Sequence, residues 1–378
     1  MPRPVLRLAA AALLLAGTAG AAGASSFGEE VPPSEAASIA AIRAAIVDAY
    51  HHQLGTPGSL ARRDAHAKAH GCVRATFTVL PRLAPELRAG VFARPRSYPA
   101  LIRFSNGFRA ERDDHAGDGR GMAIKLIGVA GRKLLEREAW EPTQDFLLIN
   151  FPVFFVRNAA DYVPFVAAEA RSRLDQFFAS RPHEAGIAAA TGAQVIGNVL
   201  DQSYFSMTAY RLGRVAVKYR ARPVACGTRS PITDDGGGAA SGDPDYLRAG
   251  LAARLATAPA CFDFMVQQRS APERMPVEDP TVPWSETAAP FVTVASITIP
   301  PQQFGSAADR SFCETLSFTP WHSLPEHRPL GGINRVRRTV YETISTLRHQ
   351  LNRAPRSEPT ALPASADQRA GPPSTRGD

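Results

Sequence analysis

The sequence predicts an α+β fold, an antiparallel β-barrel with flanking helices. Three observations lead there. Short runs rich in β-branched and aromatic residues recur through the middle of the chain, helical patterns stand before, among and after them, and no internal repeat is present. The 378 residues are 44% hydrophobic and 21% charged, which supplies a core and excludes a wholly disordered chain.

Taken in order, residues 1–24 read as a secretory signal. Arg3 and Arg7 charge the start, Leu8 to Gly17 is a short apolar stretch, and Ala22, Gly23 and Ala24 are small residues of the kind a signal peptidase accepts. A periplasmic or secreted protein is expected, with an uncleaved N-terminal anchor as the alternative. Residues 25–60 form a helical arm, in which Ser34 to Tyr50 is an amphipathic helix with Ser34 as N-cap and Ile39, Ile42 and Ile46 on one face. The main domain spans 61–353. Ala75–Val79, Ala100–Phe104, Met122–Ile127 and Phe146–Asn150 have strand character. Asn158–Ala179 reads as a helix broken near Arg181-Pro182, and strands return at Ser206–Leu212, Val215–Arg222, Phe262–Gln268 and Phe291–Ile299. Thr233–Asp243, rich in Gly, Asp and Ser, is expected as a mobile loop. Arg335–Leu351 is a third helix, with Val340, Ile344 and Leu347 on one side. From residue 354 to 378 the composition turns to Pro, Ser, Ala and Gly, and a disordered tail is expected.

Composition excludes several functions. The 43 basic and 35 acidic residues give a formal charge of +8, but no nucleic-acid-binding signature accompanies it, so a cationic soluble surface is the reading. No internal run reaches the roughly 18 apolar residues of a membrane span. Cys72, Cys226, Cys261 and Cys313 are far apart, without a CxxC pair, which argues against a zinc knuckle or a thioredoxin-type site. One or two disulfides are compatible with export, as are buried thiols, and the pairing stays open.

Three clusters carry chemistry. Arg63-Asp-Ala-His66 precedes the first strand, with His70 one turn further on. Arg103-Phe-Ser105 is followed by Asp118-Gly-Arg120-Gly121. Arg337-x3-Tyr341-x6-Arg348 lies on the last helix, where positions 337, 341 and 348 share one face. Cations beside a tyrosine favour its phenolate, and an arginine-supported tyrosinate is a candidate haem-iron ligand.

With Pro152-Val-Phe154-Phe155-Val-Arg157 added, these segments run in the order of a known family from about Arg62 to His349. The chain resembles the haem catalase superfamily, in particular its short exported branch of catalase-like, catalase-related peroxidases. The resemblance implies the catalase-type barrel and haem b (iron). It makes Tyr341 the metal ligand with Arg337 holding it deprotonated, His66 the distal acid–base and Ser105 the partner that fixes its tautomer. Arg63, Arg103 and Arg348 would meet the haem propionates. Tyr162 would stack beside the haem, with Phe165 next on the wall, while Phe154 and Phe155 read as packing. His70 is the substitute distal base if the segment slips by a turn.

One position departs from the family. Where catalases carry the distal asparagine the chain has Ile149, and Asn150 comes one residue late. Asn150 is retained as a catalytic candidate acting through a local shift; with Ile149 facing the haem, the second donor that orients peroxide is missing. The implied function is an exported haem-dependent peroxidase with weak catalase activity. It would reduce hydrogen peroxide or small organic hydroperoxides through a ferryl intermediate, using an unidentified electron donor, as a monomer or homodimer. Two alternatives stay open: rearrangement of a fatty-acid hydroperoxide, as an allene oxide synthase performs, and a non-catalytic haem-binding protein on the same barrel.

Overall fold

A computed structural model describes residues 27–54, 60–234 and 236–363. The expected signal segment lies outside the described residues, as do parts of the arm and of the tail. Nine strands form one antiparallel sheet: β1 (Ala69–Val79), β2 (Ser97–Asn106), β3 (Arg120–Ile127), β4 (Thr143–Ile149), β5 (Tyr204–Phe205), β6 (Tyr210–Leu212), β7 (Val215–Val224), β8 (Ala260–Gln268) and β9 (Phe291–Ile299). The order β5-β4-β3-β2-β1-β9-β8-β7 closes on itself because β5 also pairs with β7, giving an antiparallel barrel, as expected from the sequence, with eight strands among the described residues. β6 stands outside the ring as a hairpin on β7, its outer edge bridged at Tyr210 by Pro329.

Alternation decides which side chains fill the ring. Val73, Ala75, Phe77, Ile102, Phe104, Met122, Ile124, Phe146, Leu148, Tyr219, Phe264 and Ile297 are buried together inside it. Phe264 packs 5.1 Å from Phe77 and 4.9 Å from Phe146, so the interior is solid rather than a ligand cavity. The opposite faces of β1 to β4 point outward to the helices. Cys72 and Leu101, for example, pack against Phe312 and Leu316 outside the ring.

Seven helices surround the barrel: α1 (Glu35–Gln53), α2 (Ala159–Ala170), α3 (Leu174–Ala179), α4 (Pro182–Gly192), α5 (Tyr246–Thr257), α6 (Ala307–Thr315) and α7 (Gly332–Leu351). Ile42 and Ile46 of α1, Phe165 of α2 and Val336 and Ile344 of α7 make a second core. Burial of this kind contributes about 25 cal/mol per Å² of apolar surface and fixes α7 over the barrel. Arg335, in the first turn of α7, is held by Glu35 at 2.5 Å, Glu278 at 3.0 Å and Glu29 at 3.1 Å. None of the helices among the described residues is long and apolar enough to cross a membrane.

Several local expectations change. Ser34 makes no side-chain cap for α1. The helix expected over Asn158–Ala179 breaks at Arg171–Arg173, where Ser172 takes φ +56°; Pro182 instead opens α4, where a missing N–H costs nothing. Of the strand expected over Ser206–Leu212 only Tyr210–Leu212 forms; Met207 takes φ +58°, and the separate β5 lies before it at Tyr204–Phe205. Helices α5 and α6 were not anticipated. The four cysteines pair as Cys72–Cys313 and Cys226–Cys261. The tail does not begin at residue 354: Glu358 is buried and accepts from Lys125 Nζ and Thr143 Oγ1, both at 2.6 Å, and Arg356 pairs with Glu138 at 2.5 Å.

Candidate functional site

His66 sits immediately before β1 in the left-handed region, at φ +60°. For a non-glycine residue this conformation costs about 1–3 kcal/mol and needs surrounding bonds to hold it. They are present: the His66 N–H donates to Gly107 O at 3.0 Å, and its carbonyl accepts from Arg103 Nη2 at 2.8 Å. The ring nitrogen Nδ1 lies 3.1 Å from Ser105 Oγ. Beneath the ring is Gly121, where a Cβ would stand 2.6 Å from His66 Nδ1 and 2.8 Å from Ser105 Oγ. Only glycine leaves that space, which gives the Asp118-Gly-Arg120-Gly121 segment a physical reason. The rest of the segment is structural: Asp118 accepts from the amides of Gly107 and Phe108 at 2.7 and 3.0 Å, and Arg120 is fully buried at the end of the barrel. Burial, with the charges of Arg103, Arg337 and Arg63, pushes the His66 imidazole down to about 4, so it is neutral at neutral pH with Nε2 available.

Arg337 donates through Nη2 to Tyr341 Oη at 3.3 Å and through Nη1 to Asn334 Oδ1 at 3.1 Å. Arg337 is buried, but the hydroxyls of Tyr341 and Tyr210 keep its guanidinium well above its usual value. The charge of the same guanidinium helps to hold the His66 imidazole down.

A third group joins them. Arg63, Arg103 and Arg348, expected at the haem propionates, converge on α6 and the residues after it. Arg63 donates to Glu314 Oε2 at 2.9 Å, Cys313 O at 3.2 Å and Leu316 O at 2.6 Å. Arg348 donates to Leu316 O at 2.9 Å and to the Glu314 carbonyl. Arg103 lies 3.9 Å from the Glu314 carboxylate, and its Nε is buried with no partner among the described residues. Burial, then the charge of Arg63, depresses Arg103 well below its usual range and takes Arg348 down to about 9. Three guanidiniums against one carboxylate leave an excess of two buried positive charges. A group with two carboxylates fits that donor set.

The remaining candidates fall elsewhere. The register sets Ser105, Gly121 and Ile149 in one row across β2, β3 and β4, on the face that carries His66. Ile149 therefore lies on the face that carries His66. Asn150 stands just past β4: its Oδ1 accepts from the Arg120 amide at 2.6 Å, and its Nδ2 is buried with no partner among the described residues. Tyr162 and Phe165, 5.6 Å apart, pack with Phe154 and Phe155, and Phe165 lies in the core between α1, α2 and α7. Tyr162 packs in the same core as Val336 and Ile344 of α7, the helix that carries Tyr341. His70 is fully buried against Asn106 at 2.8 Å, in the network of Arg120 and Asp114 at the barrel end, and does not share the His66 site. Sequence reasoning missed Glu314, which belongs to no motif; its neighbour Cys313 is tied to Cys72 on β1.

The sequence model of the catalase family matches residues 58–181, the segment that carries His66, Arg103, Ser105 and Gly121. Over that segment the chain is similar to the catalase family. It is 29% identical over 245 residues to a catalase-related peroxidase of Mycolicibacterium paratuberculosis, covering 63% of this chain and 74% of that protein. In fold it is similar to a fungal catalase, with a TM-score of 0.60 and 17% identity over 77% of this chain and 60% of the other. Catalase A from Saccharomyces cerevisiae gives the same TM-score and identity, over 81% of this chain and 66% of the yeast chain. The chain thus spans less than two thirds of the length of these two superfamily members.

Proposed function

We propose that the chain is an exported, haem-dependent oxidoreductase that reduces hydrogen peroxide or small organic hydroperoxides, with peroxidation dominating over disproportionation. Two observations carry the reading: a neutral imidazole oriented through Nδ1 by Ser105, and a Tyr341 hydroxyl that accepts from Arg337. Tyr341 would hold the iron through its oxygen, and Arg63, Arg103 and Arg348 the carboxylates of the porphyrin.

Bound haem would supply a redox-active iron, whose electron-rich tyrosinate ligand favours cleavage of a peroxide O–O bond. The protein's part is proton handling and placement. His66, neutral, would take up a proton from a bound peroxide at Nε2 and give it back as the peroxide is reduced. Ser105 keeps that nitrogen aimed inward, and Arg103 holds the His66 backbone so that the ring does not drift. Ile149 excludes water but donates no hydrogen bond. Losing one oriented donor commonly costs about 10²–10³ in rate. Disproportionation positions two peroxides in turn and suffers that loss twice, which favours one-electron oxidation of an external donor.

The test is reconstitution of the full chain with haem, followed by peroxide-dependent oxidation of a phenolic donor beside oxygen evolution. The expected result is a Soret band, donor oxidation with both hydrogen peroxide and cumene hydroperoxide, and slow oxygen release. Tyr341→Phe should lose iron-porphyrin binding far more than binding of the metal-free porphyrin. A Soret band without donor oxidation would reject the peroxidase reading, and turnover of a lipid hydroperoxide without any donor would point to rearrangement instead.

A further inference from the structure

The arginine cluster is charged to receive anions, yet it already holds one. Glu314 is mostly buried, and its carboxylate touches Arg63 at 2.9 Å while standing 3.9 Å from both Arg103 and Arg62. Arg62 has Glu111 at 3.2 Å as a second partner, but Arg63 and Arg103 have no other carboxylate within 4.0 Å among the described residues. Burial alone would raise the Glu314 carboxyl, and the surrounding arginines outweigh it, leading with Arg63 and Arg103, so it stays ionised. Behind it lies a cavity of about 480 Å³ lined by Arg62, Arg310, Cys313 and Glu314, which gives the side chain room to withdraw. The disulfide Cys72–Cys313 fixes the backbone next to it, so movement is confined to the side chain.

We propose that Glu314 is a placeholder carboxylate: it neutralises the buried arginines while the porphyrin is absent and competes with the porphyrin's carboxylates for them when it arrives. The inference rests on the haem-binding reading. It makes Glu314 a positioning residue that exchanges affinity for the stability of the empty fold. Without it the haem-free chain would bury three guanidiniums with no carboxylate at all, a costly state. With it, every incoming carboxylate meets a like charge across a shared guanidinium.

The experiment titrates the full wild-type chain and Glu314→Gln with metal-free protoporphyrin and with its dimethyl ester, followed by absorbance, and records thermal unfolding of both chains without porphyrin. The expected result is a lower melting temperature for the empty variant. Its preference for the diacid over the diester should be about tenfold greater than the wild type's, a screened Coulomb effect at this separation. Glu314→Asp, which draws the carboxylate back by one methylene, should move both readouts in the same direction by less, and serves if the glutamine variant does not fold. An unchanged or reduced preference, with wild-type binding intact, overturns the placeholder role alone, because a purely structural glutamate would weaken the diacid with the fold. A wild-type chain that binds neither porphyrin overturns the haem-binding reading beneath it.

Discussion

Substituting Gly121 by alanine tests the distal geometry with a single methyl group. The added Cβ would lie 2.6 Å from His66 Nδ1 and 2.8 Å from both His66 Cε1 and Ser105 Oγ, whereas ordinary contact begins at 3.4 Å. His66 must therefore retreat by about 0.8 Å, and Arg103 and Gly107 hold its backbone on the other side. A misplacement near 1 Å in a catalytic group costs about 10² in rate, while overpacking of this size costs about 1–3 kcal/mol of stability. Gly121→Ala should thus stay folded, keep haem, and lose about a hundredfold in peroxide-dependent donor oxidation. The matched control is Gly186→Ala in α4, where a Cβ meets nothing within 4 Å. It should gain about 0.5–1 kcal/mol from helix propensity and keep its turnover. The assays are urea unfolding and steady-state donor oxidation on both variants. Full activity in a folded Gly121→Ala chain would refute the assignment of His66 as the proton carrier.

Other expectations follow from the same geometry. Because burial and Arg103 push His66 down to about 4, turnover should persist to mildly acid pH and fall as the pH drops through about 4, read as the acid limb of the pH–rate profile. The sign for stability is the same. The folded value lies below the unfolded one near 6.5, so the contribution is full above about 6.5 and lost towards 4, and His66→Gln should flatten that stretch of the stability–pH curve by about 1–3 kcal/mol. Replacing Cys72 and Cys313 together by serine opens a loop of 241 residues and should cost about 4 kcal/mol in urea unfolding, with weaker porphyrin binding because Glu314 adjoins the bridge. Lys125→Ala leaves the carboxylates of Asp145 and Glu358, each 2.6 Å from Nζ, buried without their cation; a loss of about 3–5 kcal/mol is expected by the same measurement.

The barrel was legible because its signal is local. Alternation in Arg103-Phe-Ser105 or Met122 to Ile127 survives in any context, and the motif residues around His66 and Tyr341 report chemistry that needs particular side chains. Alternation also placed Ile149: with Leu148 inside the ring, Ile149 faces outward. The leucines at 247, 251 and 255 of α5 repeat every four residues and form a buried helical face that could have been read from spacing alone. Glu314 and Glu358 were not legible. Each is a lone acid in an unremarkable stretch, and its burial is decided by cations 251 and 233 residues away. Long-range charge pairing leaves no periodicity for a single sequence to show.

The closed ring also constrains how copies of the chain can meet. A sheet with a free margin offers its amides and carbonyls to any extended segment, and such margins seed strand addition and fibre growth. Among the described residues the ring has no such margin, and the short β6 that projects from it is bridged by Pro329, which has no N–H to give, while the Arg211 amide donates to Arg328 O at 2.8 Å. Association through main-chain pairing would first require the two-residue seam at β5 to part. Short of that, the described residues offer a neighbouring molecule side chains rather than a free strand, a surface that substitution can tune without disturbing the hydrogen-bonded shell beneath.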